Sequence, residues 1–343
     1  MTRMVDVARH AGVSVKTVSR VLNNEPYVQD ALREKVRDAV RALNYIPSAS
    51  ARSLRSSRSY RIHIISHSFN SSFMHAIQFG ALREGQSAGY QAIVTFLDPD
   101  RAGEEAYVTE VLNRICADGK PDGVILLPPL SQDVALNAAV SARDIPIARI
   151  GPNNVDDTNA TVLIDDRLAA REATEHLIAL GHRRIGFVRG KEDQDATHER
   201  FAGYRDALDA AGISHDPELV EPGLFDFETG LEAGSRLLDL STPPTAIFAA
   251  NDDMAAGVLV AALQRGVAVP DDLSIMGFDD SELASKLYPA LSTVRQPLQA
   301  FGTKAMEMLT RTAGQGFTSH DDRTETLPYE LVVRDTTGPA PKA

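Results

Sequence analysis

The sequence predicts an α/β protein with an N-terminal helix-turn-helix headpiece of three helices. A two-lobed body of doubly wound parallel sheets follows. Three observations lead there. The first 46 residues are helical in pattern, with a glycine-centred turn. From Tyr60 onward, short apolar runs alternate with helical stretches, the signature of parallel strands joined by crossover helices. Seven such runs follow in one chain, more than a single small lobe holds, which points to two α/β subdomains.

In the headpiece, Val5, Val7, Ala8 and Ala11 line one side of a first helix. Gly12 sits where a helix C-cap needs a positive φ, and Ser14 is a good N-cap for a second helix. Val18, Val21 and Leu22 form the apolar stripe of that second helix. Its other face carries Val15, Lys16, Thr17, Ser19, Arg20 and Asn23, short, polar or basic side chains of the kind that read base edges and hold phosphates. An ordinary αα-hairpin with a solvated face fits the same pattern. Ala31, Leu32, Val36, Ala39, Val40 and Leu43 recur at helical spacing in a third helix that covers the first two, and Pro47 ends it.

Residues 47–60 are rich in Ser and Arg. By composition they are a flexible linker or a short helix capped by Ser48, with Ala51 and Leu54 on one face and Arg52 and Arg55 able to reach phosphates. The charge is uneven. The 343 residues carry a net −12, but residues 1–60 hold 11 Lys and Arg against 5 Asp and Glu, a net +6. A basic head on an acidic body assigns any nucleic acid to the head.

In the body, the runs RIHIIS, QAIVTFL, DGVILLP, IPIARI, RRIGFVR, TAIFAA and LSIMGF read as strands. Helical patterns such as HAIQFGALREGQSAG and MAAGVLVAALQRG lie between them. Ligands of open parallel sheets bind at the carboxyl ends of strands. Those ends here carry His67 with Phe73 one turn on, Arg189, Asn251 with Asp252, and Asp279. Amides, carboxylates and an arginine suit hydroxyl-rich ligands, and a phenyl ring can stack on a sugar face. Asn251 and Asp279 are equally suited to cap the helices that follow them. His182, in LGHRRI, reads as a structural turn residue. Cys116 is the single cysteine, so no internal disulfide forms, which fits a reducing cytoplasm.

The runs VDVARHAGVSVKTVSRVLNN, NYIPSASARSLRSSRS, LGHRRIGFV, ERFAGYRDAL, AIFAANDDMAAG, LSIMGFDD and ELVVRDTTGP closely resemble those of the LacI-type bacterial transcription regulators. The resemblance spans almost the whole chain. It implies that the body has the periplasmic-binding-protein-like architecture, with crossings between lobes near residues 162, 293 and 326. The expected division is therefore a headpiece at 1–46, a hinge helix at 47–60 and an effector-binding, dimerising body at 61–335. Lobe 1 takes about 61–162 and 294–325, lobe 2 about 163–293 and 326–335, and the polar tail 336–343 is expected to be disordered. By resemblance, Leu54 wedges into the minor groove at the operator centre, and Arg200 of RFAGY, Asn251 and Asp279 contact the effector. Ser14, Tyr27, Ser48, Ala51, Arg52 and Arg55 complete the expected DNA-binding set. Two positions depart from the family pattern. Gly151-Pro152-Asn153 replaces an acidic residue after IPIARI, and Arg3 stands where a capping Thr is common.

No GxGxxG after the first strand, GxxxxGK[ST], HExxH, CxxC pair or GxSxG occurs, so neither a cofactor, a metal nor an enzymatic reaction is expected. Neither a signal-peptide core nor a membrane-length apolar run is present, and a cytoplasmic protein is expected. The expected function is that of a homodimeric repressor of carbohydrate-use genes, binding near-palindromic operator DNA under control of a small sugar or glycoside. A solute-binding protein and a nucleoside-responsive regulator are the alternatives.

Overall fold

The computed structural model describes residues 2–22, 28–43, 45, 58–67, 72–153, 158–312 and 323–342. The chain forms two compact units, residues 1–60 and 61–343. Asn23, Tyr27, Ser48, Ala51, Arg52, Leu54 and Arg55, and with them the expected hinge helix, lie outside the described residues.

The first unit has helices α1 (Met4–Ala11), α2 (Val15–Leu22) and α3 (Asp30–Ala42). Gly12 adopts φ +65° and lets the N–H of Val13 reach back to the carbonyl of Ala8 at 3.0 Å, closing α1 as a left-handed cap. Ser14 Oγ then accepts from the N–H of Thr17 at 3.1 Å and starts α2. The Asp6 carboxylate accepts from the N–H of Arg3 at 2.9 Å, so Asp6 serves the N-terminus of α1 where Arg3 cannot accept. Thr2 Oγ1 donates to the carbonyl of Leu43 at 3.2 Å, tying the entry of the chain to the end of α3. The core is Val7, Ala8, Val18, Val21, Val36, Ala39 and Tyr45.

The second unit contains two six-stranded sheets. The first is built from β1 (Arg61–Ser66), β2 (Gln91–Phe96), β3 (Gly123–Leu126), β4 (Ile147–Ile150), β5 (Ala160–Leu163) and a later strand at Thr324–Thr326. Its order is 324–326, β5, β4, β3, β1, β2, all parallel. Its crossover helices are α4 (Ser72–Ser87), α5 (Glu105–Ile115) and α6 (Val134–Ser141). The second sheet uses β6 (Ile185–Val188), β7 (Val220–Glu221), β8 (Ala246–Ala249), β9 (Ser274–Asp279), β10 (Ser292–Arg295) and a last strand at Glu330–Val332. Its order is 330–332, β10, β9, β8, β6, β7, with only the first pair antiparallel. Helices α7 (Asp166–Ala179), α8 (Asp195–Ala210), α9 (Phe227–Leu238) and α10 (Asp252–Gln264) serve this sheet. Strands β3, β4, β6 and β8 are buried along their whole length, which is why each is a continuous apolar run rather than an alternation.

Helix α11 (Leu298–Thr312) returns to the first sheet and lies against α4. A Cβ at Gly80 would sit on the carbonyl of Gln299, and one at Gly302 on that of Ile77, so the two glycines let these backbones touch. The strands at 324–326 and 330–332, here β11 and β12, then divide between the sheets. The chain therefore passes from sheet to sheet three times: between Leu163 and Asp166, between Arg295 and Leu298, and between Thr326 and Glu330.

The tail departs from expectation. Instead of being disordered, residues 336–340 are tied down on the second sheet. Thr336 is fully buried, its hydroxyl donating to the carbonyl of Ile275 and accepting from the N–H of Ser292, both at 2.8 Å. The N–H of Ala340 reaches the carbonyl of Leu180 at 2.9 Å. His182 anchors the arrangement: Nδ1 meets Thr245 Oγ1 at 2.9 Å, while Nε2 meets Ser274 Oγ at 3.0 Å and the carbonyl of Gly338 at 3.1 Å. Polar satisfaction, not apolar content, orders this segment, and hydropathy does not register it.

Candidate functional site

In the first unit, Ser14, Val15, Lys16 and Arg20 of the α2 region are exposed and Thr17 is half-buried. Ser19 is not part of that surface. It is only 7% exposed, because it lies a helical step from Val18 within the packed face of an eight-residue helix. Val5 is the converse case, 50% exposed although it was expected to join the core.

In the second unit, the carboxyl ends of both sheets face a cavity of about 210 Å³. At its floor Arg200, from the first half of α8, is 5% exposed. Its Nε donates to Asp166 Oδ1 at 2.7 Å and its Nη1 to the carbonyl of Ala250 at 2.6 Å. The guanidinium stacks 3.7 Å from the ring centroid of Phe278 and stands 3.9 Å from Asp279 Oδ1. Asp279 closes β9 at φ +113°, a backbone region that a non-glycine residue occupies only under constraint. Gln296 Nε2 holds it by donating to Oδ1 at 2.6 Å. It caps no helix.

Burial dominates the ionisation of this floor. It pushes Asp279 well above the usual carboxylate range, against the pull of Arg200, and nearby Asp252 pushes it further. Asp252 is raised to about 7 by burial, although it accepts from Thr293 Oγ1 and from the N–H of Ser281, both at 2.6 Å. Asp166 is raised by burial against the opposing charge of Arg200. A carboxyl in its neutral form, which burial favours here, can donate as well as accept, which suits hydroxyls.

The expected residues therefore divide. His67, Phe73, Arg200, Asn251, Asp252 and Asp279 all line the cavity. Asn251 is also a helix cap: Oδ1 accepts from the N–H of Met254 at 3.0 Å and Nδ2 donates to the carbonyl of Phe225 at 3.0 Å. Arg189 is not brought in. Its guanidinium lies 4.9 Å over the Phe201 ring and pairs with Glu192 at 3.0 Å, so the charge is held against α8 rather than presented to the cavity. Other lining residues were not anticipated, among them Asp166, Gln296 and Phe225. Asp166 follows β5, a short strand absent from the sequence reading, and the strand-end rule applied there would have found it. Gln296 and Phe225 have no local signal. Phe225 is held at φ +63°, and a Cβ at Gly190 would collide with its ring.

At the departure Gly151-Pro152-Asn153, Ile150 and Gly151 form part of the cavity wall. Asn153 N–H donates to Asp195 Oδ2 at 2.9 Å. Gln132 accepts from the N–H of Asp195 at 3.1 Å and donates to the carbonyl of Asp193. These contacts bridge the two lobes. Among the described residues, no cluster of His, Cys, Asp and Glu is placed to hold a metal ion, and no helix is long and apolar enough to cross a membrane.

Comparison with known proteins gives a consistent picture. The profile described as "Bacterial regulatory proteins, lacI family" matches residues 3–48, and that of a "Periplasmic binding protein-like domain" matches residues 174–337. The chain is 34% identical over 342 residues to the HTH-type transcriptional regulator DegA of Bacillus subtilis, covering 98% of each chain. It is 35% identical over 315 residues to the ribose operon repressor of Haemophilus influenzae, covering 90% of this chain and 91% of the relative. Among solved structures, the transcriptional regulator CelR–cellobiose complex is similar at 30% identity and a TM-score of 0.73, covering 98% of this chain and all of that one. The lac repressor dimer bound to operator and the anti-inducer ONPF is similar at 29% identity and a TM-score of 0.79, covering 98% and 99%.

Proposed function

Because this chain belongs to the lacI family of bacterial regulatory proteins, a family of DNA-binding transcriptional regulators, we propose that it is a cytoplasmic repressor of carbohydrate-use genes. Its operator affinity is controlled by a small sugar-like effector bound between the two lobes of residues 61–335. Residues 1–46 read one half-site, with Val15, Lys16, Thr17 and Arg20 toward the DNA, and residues 47–60 form the hinge. Two copies meet a near-palindrome. The observation that carries the reading is the interlobe cavity, with Arg200, Asp166 and Asp279 at its floor and Phe73 and Phe225 in its wall. That set matches an apolar ring face edged with hydroxyls. A ligand that touches both lobes favours one lobe angle over the other, and coupling of this kind is typically about 1–3 kcal/mol.

The test is a thermal-shift screen of the full chain against sugars, glycosides, sugar phosphates and nucleosides. A ligand at about one hundred times its Kd adds roughly 2.7 kcal/mol to stability. A stereospecific sugar hit, lost in Asp279→Asn, supports the reading. Hits confined to nucleosides would retain the regulator and replace the sugar.

A further inference from the structure

The cavity holds a second polar feature, separate from its carboxylate floor. Lys191 lines it from the loop after β6, and His67 lines it from the end of β1 on the other sheet. The Lys191 loop is fixed: the carbonyl of Lys191 accepts from Thr197 Oγ1 at 2.6 Å and from the N–H of Gln194 at 3.2 Å. Neighbouring Glu192 is paired with Arg189, and no carboxylate pairs with the half-buried Lys191 ammonium among the described residues. His67 Nδ1 is buried and likewise has no hydrogen-bond partner among the described residues. The charge of Lys191 is felt at His67, where it adds to burial in lowering the imidazole pKa, with Asp193 opposing.

The Lys191 ammonium and the His67 imidazole line one enclosed space, and an ammonium bonds a charged oxygen roughly twice as strongly as a neutral hydroxyl, so the pair favours an anionic group over a neutral polyol. We propose that the effector is an acidic polyol, whose carboxylate or phosphate is bound by Lys191 and His67 while its hydroxyls engage Asp279 and Asp166. This rests on the sugar reading above and specifies its chemical class. The floor does not forbid the anion. Burial favours the neutral forms of Asp166, Asp252 and Asp279, and Arg200 offsets what negative charge remains. The proposal also accounts for the Gly151-Pro152-Asn153 departure, since an acidic side chain there would add negative charge to the same cavity.

Calorimetric titration of the full chain tests it with matched probes. Glucose is compared with glucuronate and glucose 6-phosphate, galactose with galacturonate and galactose 6-phosphate, and inosine serves as the nucleoside. One acidic member is expected to bind about tenfold or more tighter than its neutral parent, the gain of one charge-assisted contact. Uronate against phosphate tells which anion is recognised. Lys191→Ala, and Lys191→Met which keeps the aliphatic stem, are expected to bring acid and parent within about twofold. A neutral parent that binds as tightly as its acids, or a preference that survives both variants, overturns the anion site and leaves the sugar reading standing. Binding of inosine alone, or of no probe, overturns both.

Discussion

Arg200 concentrates the electrostatics of the body in one side chain. It neutralises Asp166 and moderates Asp279 in a region where neither carboxylate meets bulk water. Removing one partner of a buried pair typically costs about 3–5 kcal/mol, because the remaining charge is stranded. Arg200→Met is therefore expected to lower unfolding free energy by roughly 3 kcal/mol at pH 8. The loss is smaller at pH 5, where the stranded carboxyls take up protons. The sign follows from linkage. A carboxyl whose folded pKa lies above its unfolded value binds more protons when folded, so its contribution is present at low pH and lost as pH rises. Asp252, raised by burial and not an ion-pair partner of Arg200, adds a pH dependence of this sign to parent and variant alike, over a window from about 4 to about 7. Urea unfolding of the variant and the parent at the two pH values checks this, and an equal penalty at both would place the cost in packing rather than charge. At the DNA end, Lys16→Ala is expected to weaken operator affinity and to reduce its salt dependence, read by fluorescence anisotropy across a salt series.

The elements add what single residues cannot. Helices α4 and α11 are far apart in the chain yet approach until backbone meets backbone, through Gly80 and Gly302. A side chain at either position forces the helices apart. Gly302→Leu is expected to cost about 3 kcal/mol, at the upper end of overpacking penalties, and Gly302→Ala somewhat less, measured by chemical denaturation. The tail behaves as a last element of the second sheet. Truncation after Val333 removes Thr336 and Gly338, and it strips His182 Nε2 of one of its two partners. Burial already lowers the His182 pKa, against the hydrogen bond to Gly338, and so favours the neutral imidazole. We expect the truncated chain to lose about 2 kcal/mol from orphaned buried groups, visible as a lower Tm in calorimetry. An unchanged Tm would return the tail to the status its composition suggested.

At the scale of the whole molecule, a net +6 headpiece belongs to a chain of net −12. The body therefore carries strong negative charge and repels DNA on its own, which leaves attraction to the first unit. Residues 61–343, expressed alone, are expected to bind no operator in a mobility-shift assay while retaining the full effector-induced thermal shift. Retention on DNA would mean that the body carries contacts beyond the headpiece. Among the described residues the lobes are bridged by Gln132 and Asn153 to Asp193 and Asp195, exposed polar contacts that can break and re-form as the lobe angle changes. A ligand of modest affinity can shift such an equilibrium.

Much of this was legible in the chain because it is local. A glycine cap, a serine N-cap and a spacing of apolar residues define the headpiece helices without reference to anything distant. Strand ends follow from apolar runs, which is why His67, Phe73, Asn251, Asp252 and Asp279 could be named before any of them was seen to share a cavity. What a strand-end side chain does there was decided elsewhere. Arg189 was diverted by the Phe201 ring and Glu192. Arg200 took its meaning from Asp166, 34 residues earlier. Asn251 divided its amide between its own helix and the carbonyl of Phe225, 26 residues away. Ser19 was buried by the packing of a short helix, and the tail was ordered by hydrogen bonds to a histidine more than 150 residues before it. Periodicity and turn chemistry act over a few residues and are written into the sequence. Burial, and the pKa values and hydrogen-bond partners that depend on it, come from segments that meet only after folding, so the tertiary structure decides them.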